Sequence, residues 1–410
     1  MPLAARVRYS GGWLHHQLPV YSPLHLGMLA AAAWHVGRRG SDPRPALAAA
    51  LRERYQADAT ILCGSGTDAL QLGLRTALAR ARQPPVLALP AFSCFDVAAA
   101  AVANGARIAF YDIDPLTLGP DPESLEQALA AGAGVVVVSP LYGVPVAWDE
   151  IQAQCGRHGA VVIEDSAQGA MARWRGRLLG SMGEISIISF GRGKGWTGGQ
   201  GGALLLRSRG AASSISVEGS EATNLRDEVH LLASSLVQAL LGRPAIYRVP
   251  VSIPWLHLGE TRYHVSAPPR EMTRIAAALV WASRLPAEAE AEHRRAAAAD
   301  MLARIPVRAA VSPIRIPPHV QPGFLRLPLR LARGMSGFRD PALAKRLGIA
   351  PSYPLPLPEL PQVQELRVHT RVRYPGARQL VHELVTLPVH SLVDDAQREQ
   401  MLHLLDSYAA

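Results

Sequence analysis

From about residue 60 onward, short runs of consecutive apolar residues alternate with longer stretches whose apolar positions recur at helical spacing. VLAL (86–89), RIAFY (107–111), VVVV (135–138) and VVI (161–163) read as strands buried on both faces. DALQLGLRTALARA, FDVAAAAVAN, PESLEQALA and WDEIQAQCGRH read as the helices between them. Asp121 and Pro122 open the third of these helices as a cap and a first-turn proline. This alternation predicts a parallel sheet covered by helices on both faces. ISIIS (185–189) and ALLLR (203–207) also read as strands, but the segment between them is glycine-rich and has no apolar helical face. A parallel pair needs a crossover of about a dozen residues or more, usually helical. At least one of these two strands is therefore expected to run antiparallel at the end of the sheet.

Past about residue 250 proline becomes dense, and helices at 271–304, 340–347, 375–384 and 394–408 alternate with short extended pieces. This predicts a smaller α+β domain. The division is placed at 1–255 for a large α/β domain with an N-terminal arm, and 256–410 for the small domain.

Composition narrows the class. The chain has 410 residues, 49% of them hydrophobic and 18% charged, which suits a folded globular protein rather than a disordered one. Cys63, Cys94 and Cys155 lie far apart with no CxxC pair, so neither a disulfide framework nor a zinc site is expected, and a reducing compartment fits. MPLAARVRYSGGWLHHQLP lacks the apolar centre of a signal peptide. The early run LGMLAAAAWHV falls well short of the ~20 residues of a membrane helix. A cytoplasmic protein without a membrane partner is the expectation. The net charge of +9 is carried by arginines that occur singly or in short pairs such as Arg294-Arg295. No helix-turn-helix, zinc-finger or aromatic-rich RNA motif accompanies it. An anionic small molecule is expected as partner rather than a nucleic acid.

Ligands of open α/β sheets sit outside the carboxyl ends of the strands. Three segments there carry chemistry. CGSGTDAL leads from a strand at 60–62 straight into a helix. Its small residues, with the hydroxyl of Thr67, allow an anion to approach the helix N-terminus. Glu164-Asp165-Ser166-Ala167-Gln168 follows VVI, and an acid in that position is desolvated unless a cation meets it. Ser189 and Phe190 open the loop that holds Lys194. Lys and Arg together number 42, yet Lys194 and Lys345 are the only lysines. A phosphate-binding P-loop fails here, because Ile188 stands where its first glycine belongs and Gly195 where its Ser or Thr belongs. A lysine amine, unlike a guanidinium, can lose its proton and attack a carbonyl. An aldehyde-reactive lysine, a carboxylate and a phosphate cradle are what pyridoxal phosphate requires.

The order SGTDAL (65–70), LALP (87–90), YDID (111–114), YGVP (142–145), EDSAQ (164–168), SFGRGK (189–194) and GGALLL (201–206), with YPGARQLVHELVTLPVHSLVDD (374–395) near the end, resembles the DegT/DnrJ/EryC1/StrS aminotransferases. The resemblance implies a fold-type-I α/β architecture, with a mostly parallel seven-stranded sheet, helices on both faces and a small C-terminal α+β domain. It implies pyridoxal phosphate as cofactor. Lys194 would bond the cofactor aldehyde and shuttle protons, and Asp165 would pair with the pyridinium nitrogen. Gln168 would lie beside the ring and its 3-hydroxyl, and Ser189 with Gly66 and Thr67 would hold the phosphate. The implied reaction moves an amino group from an amino acid, glutamate by expectation, to a keto sugar on a nucleotide carrier. A homodimer with shared active sites is implied, and no metal.

Departures from the pattern bear on substrate and interface. The ring-stacking position falls on Cys94, with Phe92 and Phe95 as alternatives. The family's Gly-x-Asn-x-Arg segment, which reaches into the neighbouring subunit's site, has no match within 255–270, where Arg262 or His264 is no more than a candidate substitute. Gln200 replaces a common Glu. Relatives with histidine in place of the lysine dehydrate their substrates, so Lys194 favours transamination. Two alternatives stand beside it: another reaction of the same cofactor (lyase, dehydratase or amino-acid modification), and a non-catalytic binding relative. The intact Lys194 and Asp165 weigh against the last.

Overall fold

The main sheet is built from β1 (Ala59–Cys63), β2 (Val86–Pro90), β3 (Arg107–Tyr111), β4 (Ala133–Val138), β5 (Val161–Asp165), β8 (Ile185–Ser189) and β9 (Gly202–Leu206). A two-residue hairpin, β6 (Arg173–Trp174) and β7 (Arg177–Leu178), lies between β5 and β8 along the chain. The strand order is β1-β9-β8-β5-β4-β2-β3. The computed structural model describes residues 16–38, 41–80, 86–207, 223–248, 261–368 and 373–409. Residues 1–15 of the N-terminal arm and 255–260 of the unmatched interface segment lie outside them.

β9 is the antiparallel strand, but it lies inside the sheet and not at its end as expected, because β1 pairs on its far side: it runs antiparallel to both β1 and β8. All other neighbours in this sheet run parallel. The glycine-rich connection cannot cross over the sheet, so the chain turns back beside β8. The central strands are buried on both faces: Leu87 to Leu89, Ile108 to Phe110 and Val135 to Val137 are closed to solvent. Helices α1 (Leu26–Gly37), α2 (Arg44–Arg54), α3 (Gly66–Leu78), α4 (Phe95–Ala103), α5 (Pro122–Ala130) and α6 (Trp148–Arg157) precede β5. The α5 cap forms as its sequence predicts, with the Asp121 carboxylate accepting the Ser124 N–H at 2.8 Å.

After α7 (Leu225–Leu241) comes one long helix, α8 (Arg274–Arg304), which serves two cores. Ile275 to Ala291 pack with α1, α2 and Trp196, while Ala297, Ala298 and Met301 join the core of a second sheet. That sheet is antiparallel and contains β10 (Val311–Pro313), β12 (Leu327–Leu331), β13 (Ala350–Pro351) and β14 (Leu384–Leu387), in the order β10-β12-β14-β13. β11 (Val320–Gln321) instead pairs with β6, so the C-terminal part reaches back to the main body. Helices α9 (Pro341–Arg346), α10 (Pro375–Glu383) and α11 (Asp395–Asp406) complete it. No described helix is long and apolar enough to cross a membrane.

The segment 16–24 ties the two parts together. Gln17 Nε2 donates to the Leu392 carbonyl at 2.6 Å, and the ring of fully buried His390 donates from Nε2 to the Leu18 carbonyl at 2.9 Å. Nδ1 of that ring has no hydrogen-bond partner among the described residues. Burial pushes His390 down to about 4, because a charged imidazole there loses its water. The unfolded chain, with an ordinary histidine near 6.5, takes up the proton first. His390 therefore stabilises the fold fully above about pH 6.5, and this contribution is lost as pH falls toward 4, by about 3 kcal/mol in all. Thermal melts from pH 7 to 4 are expected to show that decline. His390→Leu should be less stable at pH 7 yet decline less steeply. Parallel curves would show that His390 is not the titrating group.

Candidate active site

Three strand ends meet at one edge of the main sheet. Cys63 and Ser189 both pair with Gly202, and Asp165 pairs with Ile187 two residues earlier on β8. The insertion of β9 between β1 and β8 thus brings Ser65–Thr67, Asp165 and Ser189 together. They line a cavity of about 400 Å³ with Ser139, Gln168, Arg192, Lys194 and Gln200. All six residues singled out from sequence, Gly66, Thr67, Asp165, Gln168, Ser189 and Lys194, lie on its wall.

The floor at Gly66 depends on the absence of a side chain. A Cβ there would come within 2.7 Å of the Ser189 Cβ, so only glycine lets the turn close onto β8. Ser65 caps α3, its hydroxyl accepting the Asp68 N–H at 3.0 Å. The N-terminus of this 13-residue helix therefore faces the cavity beside the hydroxyls of Thr67 and Ser189. The Ser189 hydroxyl also accepts the Gly191 N–H at 3.4 Å.

Lys194 sits in a loop clamped at both ends. Phe190 N–H bonds the Gly201 carbonyl at 2.8 Å, and Gly198 N–H bonds the Phe190 carbonyl at 2.9 Å. Trp196 anchors the loop in the core, with its indole N–H on the Val280 carbonyl at 2.9 Å. Gly195 N–H reaches the Ser22 hydroxyl at 3.2 Å. Gly193 and Gly195 flank the lysine at φ of 72° and 79°, values that disfavour residues with a Cβ. The bend between them turns the lysine toward the cavity.

Asp165 is held by the Ser139 hydroxyl at 3.1 Å and the Ala167 N–H at 3.2 Å. Burial raises its pKa above the ordinary range, while the Lys194 charge and these two donors act the other way. A carboxylate in that balance favours a cationic group beside it. The neighbouring Glu164 does different work. It is fully buried, accepts N–H bonds from Gly180 and Met182 at 2.6 and 2.7 Å, and takes the Ser186 hydroxyl at 2.9 Å. It fastens the loop before β8 and does not line the cavity.

Gln168 is fixed from two sides. Its Oε1 accepts the Tyr142 N–H and its Nε2 donates to the Tyr353 hydroxyl, both at 2.8 Å. Sequence reading missed Ser139 and Tyr353. Ser139 had a signal, since it directly follows β4 at the same edge of the sheet. Tyr353 had none, because it arrives from the second sheet, 185 residues beyond Gln168.

Three readings need correction or closer placement. Neither Phe92 nor Phe95 lines the cavity; both are buried, Phe92 edge-on to Tyr353 at 5.3 Å. The wall at that position is made by Ser93, Cys94, Asp96 and Val97. Burial pushes the Cys94 thiol up to about 12, so it stays a neutral thiol, set against the Asp96 carboxylate at 3.5 Å. Arg262 and His264 are exposed and lie away from this chain's own cavity, as residues considered for a neighbouring subunit's site would.

The residues present fit pyridoxal phosphate. A helix N-terminus with two hydroxyls and a side-chain-free floor suits its phosphate. Asp165 suits a pyridinium nitrogen, and Lys194 an aldehyde.

Comparison with known proteins identifies the family and the fold. The profile of the DegT/DnrJ/EryC1/StrS aminotransferase family matches residues 40–406. Aminotransferases of that family depend on pyridoxal phosphate. The chain is 35% identical over 144 residues to the L-glutamine:2-deoxy-scyllo-inosose aminotransferase of Streptoalloteichus tenebrarius, covering 35% of this chain and 34% of that one. It is 33% identical over 130 residues to the UDP-2-acetamido-2-deoxy-3-oxo-D-glucuronate aminotransferase of Pseudomonas aeruginosa, covering 32% and 36%. These matches thus span about a third of each curated relative's length. Over the whole fold, the crystal structure of a DegT DnrJ EryC1 StrS aminotransferase from Brucella abortus superposes with a TM-score of 0.72 at 21% identity, covering 93% of this chain and 95% of that one. Fold, cavity and profile together establish that the chain belongs to the DegT/DnrJ/EryC1/StrS aminotransferase family.

Proposed function

We propose that this protein is a pyridoxal-phosphate-dependent aminotransferase that moves an amino group from an amino acid to a keto sugar or a related cyclic ketone. The observation that carries the reading is the convergence of Lys194, Asp165 and the Gly66–Thr67 turn on one cavity. Bound pyridoxal phosphate supplies an electron sink for the carbon that loses or gains its proton. The chain's own residues do the rest. Gly66, Thr67 and Ser189 would hold the phosphate, and Asp165 would keep a cationic nitrogen charged beside it. Lys194 would anchor the cofactor through Nζ; once released as a free amine, that Nζ would take a proton from one carbon and return it to another within each half-reaction. Arg192, exposed on the rim of the cavity, is placed to meet an anionic substrate group.

Two of the curated relatives bear on the acceptor. One is named for an inosose and one for a UDP-linked 3-oxo sugar acid. A nucleotide-linked keto sugar fits the net charge of +9, which favours a diphosphate. Glutamate or glutamine is the proposed donor. The active protein is proposed to be a homodimer in a reducing cytoplasm.

The test is direct. Purified protein is loaded with pyridoxal phosphate and given glutamate or glutamine with either a UDP-linked 3-keto sugar or 2-deoxy-scyllo-inosose. The expected result is an aminated sugar together with the matching 2-oxo acid. Release of free ammonia without an aminated product would point to a lyase instead. Absence of any cofactor absorbance that stays with the protein after unbound cofactor is removed would end every enzymatic reading.

A further inference from the structure

We infer that Tyr353 is a positioning residue for the cofactor site, holding the Gln168 carboxamide in a single orientation. The inference rests on the cofactor reading above. An amide can face either way, but here one partner decides. Tyr142 N–H can only donate, so Gln168 must present its oxygen to it, at 2.8 Å. Nε2 then faces the Tyr353 hydroxyl, which accepts at the same distance. One bond uses one of two N–H groups. The second is left as a donor of fixed direction on a residue that lines the cavity.

The two holding groups are themselves braced. Tyr142 has a φ of 55°, a left-handed value that a large residue adopts only when its surroundings impose it. The imposition is visible. Leu325 N–H bonds the Tyr142 carbonyl at 2.9 Å, and Gly323 N–H bonds the Gly143 carbonyl at 2.8 Å. A Cβ at Gly143 would meet the Gln168 carbonyl at 3.0 Å, so the turn packs tightly on the same residue. The Tyr142 hydroxyl contacts that of Ser352. Tyr353 lies two residues beyond β13, its ring edge-on to Phe92 and its hydroxyl buried. Shortly after, Leu357 N–H bonds the Ala91 carbonyl at 2.8 Å. Tyr353 thus brings the second sheet to bear on Gln168 through its hydroxyl, and Ser352 reaches Gln168 only by way of Tyr142. Burial also keeps the phenol protonated, so the contact is pH-independent over the working range.

The test is a double-mutant cycle on the full chain, stripped of cofactor and titrated with pyridoxal phosphate. Tyr353→Phe removes a single oxygen. It is expected to weaken cofactor binding roughly 3- to 10-fold. It should also raise the pH midpoint of the bound cofactor's visible absorbance, because a loosened N–H donor stabilises an anionic cofactor oxygen less. Gln168→Ala should do both, and adding Tyr353→Phe to it should change neither further. The cofactor-free Tyr353→Phe protein should melt within about 3 °C of wild type. Additive effects, an unmoved midpoint or a larger fall in melting temperature would overturn the inference, the last by showing that the hydroxyl serves the fold rather than the site. Wild-type protein that takes up no cofactor would instead sink the functional reading, so the two failures are distinguishable.

Discussion

Lys194→Ala is expected to lower amino transfer by about 10⁴-fold or more while the protein still binds pyridoxal phosphate. The substitution removes both an amine that bonds the cofactor and the base that moves the substrate proton. It leaves the other holding groups in place: Asp165, the Ser189 hydroxyl and the N-terminus of α3 all line the cavity independently of the lysine. The variant should therefore bind cofactor, seen by its absorbance, without turnover. Lys194→Arg should be equally inactive, since it keeps the charge but cannot lose a proton. That second variant separates the chemistry of an amine from electrostatics alone. Turnover by either variant near the wild-type rate would end the mechanism proposed here.

Asp165→Asn carries the next largest effect. A carboxamide of the same shape can still bond Ser139 and the Ala167 N–H, so the fold should be retained. What is lost is a charge. Two unit charges in contact in a partly buried site interact by about 4 kcal/mol at an effective dielectric constant near 20. A loss of that size is about 10³-fold in rate. Turnover is expected to fall by about 10³-fold, with a weaker fall in cofactor affinity, measured by initial rates and cofactor titration on the same preparation. The wild-type carboxyl also has a raised pKa because it is buried. It takes up a proton at a higher pH than an ordinary aspartate, so cofactor binding should weaken on acidification sooner than exposed carboxyls titrate. The Asn variant should lack that acid limb. Wild-type rates in Asp165→Asn would show that no cation needs this carboxylate.

Much of this protein is legible along the chain. The strands and helices of the main sheet follow from apolar period and length, and each strand read between 86 and 189 lies within a residue or two of its place. The candidate site was legible too, because ligands gather where parallel strands end. Glu164 and Asp165 show the limit. The sequence presents two adjacent acids, but alternation along a strand sends them to opposite sides. One meets a cage of backbone N–H groups and the other meets the cavity, and which is which depends on what packs against β5. Phe92 shows the same limit. It is aromatic and close to the site in sequence, yet its side chain turns into the core against Tyr353.

The sequence by itself determined the local elements, the six residues on the cavity wall and the need for one strand to turn back. Each follows from short-range rules: side-chain period, small residues at a turn, and a loop unsuited to cross a sheet. Only the tertiary structure decided that β9 inserts between β1 and β8, which sets the Gly66 turn against Ser189 across more than a hundred residues of chain. Only it brought Tyr353 from a second sheet to the Gln168 amide. The physical reason is common to both. Periodicity records which face of an element is apolar, but strand pairing and side-chain contact between distant segments are settled by which arrangement buries all those faces at once.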